Sequence, residues 1–291
     1  MCDQDSLDDM MQYDLKSAEL SRRRFAALAA GIGAASLLPR AAGAVEIHDQ
    51  DVMIKTPDGT CDAHFAHPAS GKAPAVLVWP DIFGLRPAFK TMGKRLAESG
   101  YAVLTVNPFY RAQKAPTAPA GANISDPATR DKLFGMMNAM TPQTQVTDAT
   151  AFFAWLDQQA SVDARKKAGT TGYCMGGPIT MRTAAALPNR IGAGASFHGG
   201  GLVTDKPDSP HLLVPKMKAQ YLFAIAQNDD QQQPEAKTVL KDTFAKANLK
   251  AEIEVYPAQH GWCPPDGRVY DHDQAEKAWG RMLALFKTAL V

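Results

Sequence analysis

Cysteine is scarce in this sequence, with four in 291 residues and no C-x-x-C pair among them, which argues against a dithiol redox protein. Charge of one sign is missing too. Thirty-one Lys and Arg against 30 Asp and Glu leave a net charge of +1, so no imbalance points to nucleic acid or to an anionic membrane surface. The weakly hydrophobic run from Ala26 to Leu38 is only thirteen residues long, whereas a membrane span needs about 20. There is no internal repeat, and the 22 Gly and 20 Pro are spread between apolar runs rather than gathered in a low-complexity tract. What is present, 45% hydrophobic and 21% charged residues, is an ordinary globular composition. Such a chain can bury a full core in one α/β domain or two small ones.

The short apolar run is introduced by Ser21-Arg22-Arg23-Arg24-Phe25 and followed by Ala42-Gly43-Ala44, small residues suited to cleavage. Paired arginines before a weakly hydrophobic segment resemble a twin-arginine export signal. The resemblance implies a leader over residues 1–44 recognised by the twin-arginine translocation machinery, and a mature domain of residues 45–291 in the periplasm. Cys2 would leave with the leader. Cys61, Cys174 and Cys263 remain, an odd number that requires a free thiol or an intermolecular bond, and a Cys61–Cys263 disulfide is one open pairing.

The remainder is organised around Ala168 to Leu187, AGTTGYCMGGPITMRTAAAL, which reads as a buried strand, a sharp glycine-rich turn and a helix. Gly172 and Gly176 bracket Cys174 in G-x-C-x-G, the cysteine counterpart of the G-x-S-x-G nucleophile elbow, and Gly177 adds clearance. Pro178 is harmless in a first helical turn. A helix start beside a thiol lowers its pKa and offers N–H groups to an oxyanion. The bland alternative is a small buried cysteine in an ordinary βα turn.

Around this stretch, Glu46 to Lys55 and Thr60 to His67 flank a turn composition and predict an antiparallel hairpin. His64 and His67 lie there as plain strand residues; i and i+3 face opposite sides of a strand, and no metal ligand set is expected. Ala75 to Trp79, Tyr101 to Val106, Ile191 to Phe197, Ala219 to Ala226 and Ala251 to Tyr256 predict further strands. Helices are expected over Pro87–Ser99, Leu133–Met140, Gln143–Gln159 and Pro234–Ala247, and one marked by Ala275, Trp279, Met282 and Phe286 closes the chain. The Pro/Ala/Gly-rich stretch to Pro127 reads as a loop over the site or a connector. This alternation predicts a mostly parallel sheet with helices on both faces.

Catalytic groups in such a sheet belong in loops leaving the carboxyl ends of strands. Asp229 follows YLFAIAQN and His260 follows IEVYPAQ, giving the chain order nucleophile, acid, histidine of α/β hydrolases. Cys174 would attack, His260 would carry the proton and Asp229 would orient the imidazole. Asp230 is the competing acid, and His198, at another strand end, the competing histidine.

PDIFGL at 80–85, NPFYR at 107–111, GYCMGG at 172–177, the aspartate at 229 and HGW at 260–262 together resemble the dienelactone hydrolase family, from about Cys61 to the last helix. The resemblance implies an α/β-hydrolase fold, a Cys174-Asp229-His260 triad, an oxyanion hole from the N–H groups of Ile82 and Met175, and no cofactor. It gives Asp81 the place of a family glutamate that contacts the resting thiol, and Arg111, with Trp262, a place in substrate binding. The family's second carboxylate-binding arginine, expected just after the histidine, is absent, Arg268 being the nearest. The expected function is an exported cysteine hydrolase of small esters or lactones. The alternative is a non-catalytic periplasmic binding or scaffold protein that retains the fold.

Overall fold

The computed structural model describes residues 44–291; the expected leader lies outside them, Ala44 excepted. Among the described residues no helix is long and apolar enough to cross a membrane. Eight strands form one sheet: β1 (Ile47–Thr56), β2 (Gly59–Pro68), β3 (Ala75–Trp79), β4 (Ala102–Val106), β5 (Ala168–Tyr173), β6 (Ile191–Phe197), β7 (Gln220–Ala226) and β8 (Ala251–Tyr256). Their order is β1-β2-β4-β3-β5-β6-β7-β8. The β1–β2 hairpin is antiparallel and β2 pairs antiparallel with β4, while every pair from β4 to β8 is parallel. Strands β3, β4 and β5 are buried at every position, as expected of strands covered on both faces.

Seven helices are described: α1 (Pro87–Glu98), α2 (Pro127–Ala139), α3 (Pro142–Leu156), α4 (Gly176–Ala186), α5 (Gln227–Gln232), α6 (Ala236–Lys246) and α7 (His272–Ala289). Phe152 of α3, Ile179 of α4 and Phe244 of α6 share one core with the sheet. Phe89 of α1 and Met282 and Phe286 of α7 belong to the core on the other face. The helices after β3 and β5 therefore leave on opposite sides of neighbouring strands. The carboxyl ends of β3 and β5 are thus the switch point of the sheet, the place where open α/β sheets bind their ligands.

Element boundaries differ from expectation where a local cap was overlooked. Helix α2 begins six residues early, at Pro127 rather than Leu133, because the Asp126 carboxylate accepts from the Thr129 N–H at 2.8 Å and Pro127 suits the first turn. The loop after β6 contains a 3-10 helix over Pro210–Lys216. On α3, Ala149, Phe152, Phe153 and Leu156 are buried and Val146 is half-buried.

The suggested Cys61–Cys263 disulfide is not formed. Both thiols are free and buried, Cys61 in one core and Cys263 in the other, with the sheet between them. Burial pushes both thiols up in pKa, and the Cys61 thiol donates to the Asn107 carbonyl at 3.4 Å.

Candidate active site

Cys174 occupies the turn between β5 and α4 with φ +53°, a left-handed conformation that is strained for a non-glycine residue. The flanking glycines are sterically required. A Cβ on Gly172 would lie 2.1 Å from the Gly176 carbonyl oxygen, and one on Gly176 would lie 2.4 Å from the Trp79 carbonyl oxygen. The Cys174 N–H donates to the Phe197 carbonyl at 3.0 Å, tying the turn to β6. Ile82, from the loop after β3, and Met175 belong to the same small apolar cluster as Cys174.

Four consecutive strands deliver polar residues to this rim: Cys174 after β5, His198 after β6, Asp229 after β7 and His260 after β8. The Asp229 carboxylate accepts from His260 Nδ1 at 2.9 and 3.0 Å. A carboxylate can only accept, so Nδ1 carries the proton, and in the neutral ring Nε2 is the basic nitrogen. The Asn228 side-chain oxygen accepts the His260 backbone N–H at 2.8 Å, fixing the loop from beneath. Asp229 sits on α5, a short helix absent from the sequence reading. Asp230, the rival acid, is bound instead to Lys237 at 2.6 Å.

His198 lies between the two arms of this arrangement. Its ring centroid is 5.1 Å from those of both His260 and Trp262, edge-on, and 6.0 Å from that of Tyr173. It is wholly buried at φ +40°, and neither ring nitrogen has a hydrogen-bond partner. Burial, then the nearby His260, push its pKa well below that of an ordinary histidine, so it stays neutral.

The two residues expected to bind substrate have partners within the chain. Trp262 is fully buried, stacks on Tyr256 at 5.3 Å and packs edge-on against His198. Arg111 is engaged within the chain: its guanidinium donates to both Asp148 oxygens at 2.7 Å and to Asp58 at 2.5 Å. Burial opposes that charge, but these carboxylates outweigh it and hold the arginine firmly protonated. Asp81 likewise has a partner that the sequence reading missed. Arg86 clamps both its oxygens, at 2.6 and 2.9 Å, and reaches Asp266 at 2.7 Å, linking the loop after β3 to the loop after His260. Its position five residues after Asp81, at the entry to α1, was the available signal. His64, in β2, sits 2.9 Å from Asp51 and 3.3 Å from Asp49, both on β1, and His67 Nδ1 is 2.8 Å from the Pro68 carbonyl.

Comparison with known proteins gives this geometry a context. A protein of Escherichia coli K12 provisionally named carboxymethylenebutenolidase is 29% identical over 236 residues, 77% of this chain and 81% of its own. Carboxymethylenebutenolidase 1 of Cupriavidus pinatubonensis is 23% identical over 227 residues, 78% of this chain and 91% of its own. A crystal structure from Klebsiella pneumoniae, provisionally named dienelactone hydrolase, superimposes with a TM-score of 0.71 at 23% identity, over 84% of this chain and 99% of that one. This likeness shows the α/β-hydrolase fold. The profile of the dienelactone hydrolase family matches residues 61–290, from the second strand to the last helix, and the chain belongs to that family.

Proposed function

We propose that the protein is a hydrolase of small carboxylic esters or lactones that works through an acyl-enzyme on Cys174. The observation that carries this reading is the His260–Asp229 pair, held on the same rim as a thiol in a strained elbow. His260 Nε2 takes the proton from the Cys174 thiol as sulfur attacks the carbonyl carbon. The N–H groups of Ile82 and Met175 receive the developing oxyanion. Collapse expels the alcohol, which takes the proton from Nε2, and leaves a thioester. Water, deprotonated by the same nitrogen, then attacks the thioester; the acid departs, and sulfur recovers its proton. Asp229 stabilises the imidazolium formed in both halves.

Mass spectrometry of protein quenched during turnover of an activated ester tests this directly. Cys174 is expected to carry the acyl mass, and the label to be lost in Cys174→Ala; an acyl group found only on other residues refutes the scheme.

We also propose export through the twin-arginine route, on the strength of Ser21-Arg22-Arg23-Arg24-Phe25 and the short apolar run behind it. Cell fractionation is expected to recover the protein outside the cytoplasm, and Arg22→Lys with Arg23→Lys to retain it inside. Unchanged distribution in the double variant would count against this route.

A further inference from the structure

On one side Cys174 joins an apolar cluster, opposite in character to the polar rim that carries His260 and Asp229. Its cluster consists of Ile82, Phe109, Ile124, Leu133 and Met175, all buried. Phe83, from the loop after β3, and Phe134 and Met137 of α2 pack against that cluster while remaining half-buried, and so extend it to the surface. The guanidinium groups nearest in sequence to the site motifs are already committed. Arg111 is held by Asp148 and Asp58, Arg86 by Asp81 and Asp266, and Arg268 also has an interaction of its own.

A carboxylate brought against such a surface would lose its hydration without gaining a charged partner, and an unpaired buried charge is heavily penalised. An alkyl chain gains on the same surface, by roughly an order of magnitude in kcat/KM per well-buried methylene. Methionine adapts its shape to the chain, so several lengths fit.

We infer that the acyl group this enzyme accepts is uncharged and aliphatic, seated on Phe83, Phe134 and Met137, and that carboxylated lactones are poor substrates. The inference rests on the proposed acyl transfer at Cys174.

The experiment compares kcat/KM for the p-nitrophenyl esters of acetate, butyrate and succinate, the last carrying a carboxylate on a chain about as long as butyrate. Butyrate is expected to exceed acetate, and to exceed succinate by at least about tenfold. Met137→Lys, which sets a cation in the patch on a side chain of similar length, is expected to narrow the butyrate-to-succinate ratio. A wild-type enzyme that cleaves the succinate ester as fast as the butyrate ester, or faster, overturns the inference while leaving acyl transfer intact. An unchanged ratio in a folded Met137→Lys protein overturns the assignment of the patch. Inactivity toward all three esters defeats the underlying reading itself.

Discussion

Cys174→Ala is expected to reduce kcat for an activated aryl ester by at least about 10⁴-fold, down to whatever the oxyanion donors and binding alone provide. His260→Ala should fall by a comparable factor, and the double variant hardly further, because nucleophile and base act as one unit. Cys174 is held at the turn into α4 with φ +53°, backbone strain of the kind that clusters at functional sites. Melting temperature provides the control. Cys174 contributes one small buried side chain, so the alanine variant should remain folded, and retained turnover in a folded Cys174→Ala protein would show that the reaction runs elsewhere.

Asp229→Asn is expected to cost about 10²- to 10⁴-fold in kcat, with KM changed far less. An amide in that place can still meet Nδ1, but it offers no negative charge to the imidazolium, and its NH2 face favours the wrong tautomer. Asp230→Asn sets the contrast. Its carboxylate is bound to Lys237, away from His260, so kcat should change by less than about threefold. Steady-state kinetics on the two purified variants decides between them; equal losses would mean that α5 is being disrupted and that neither carboxylate acts on the imidazole.

The neutral, wholly buried His198 has a consequence for stability. The unfolded chain binds a proton at this residue as pH falls below about 6.5, while the folded chain resists it, so stability declines on acidification at up to about 1.4 kcal/mol per pH unit until the depressed folded pKa is reached.

Local chemistry was readable from the chain. Glycines at 172 and 176 announce a turn because no side chain fits there, and the clearances of 2.1 and 2.4 Å bear this out. Continuous apolar runs at Ala75–Trp79 and Ala168–Tyr173 announce central strands, because only a strand covered on both faces can bury every residue. The succession of Cys174, Asp229 and His260 at strand ends follows from the same alternation, since a parallel sheet sends successive carboxyl ends to one rim.

What depends on distant partners was not readable. Arg111 is a free cation in the sequence and a neutralised one in the fold, because Asp58 and Asp148 arrive from a hairpin turn and a helix 53 and 37 residues away. Arg86 finds Asp266 across 180 residues. Trp262 follows the key histidine and so invites a role in binding, yet the stack on Tyr256 buries it. Cys61 and Cys263 could be paired on paper, but the sheet lies between their two cores. Backbone pattern is a property of neighbours along the chain, whereas charge compensation and burial belong to residues that meet only after folding, and these set what kind of substrate the rim can receive.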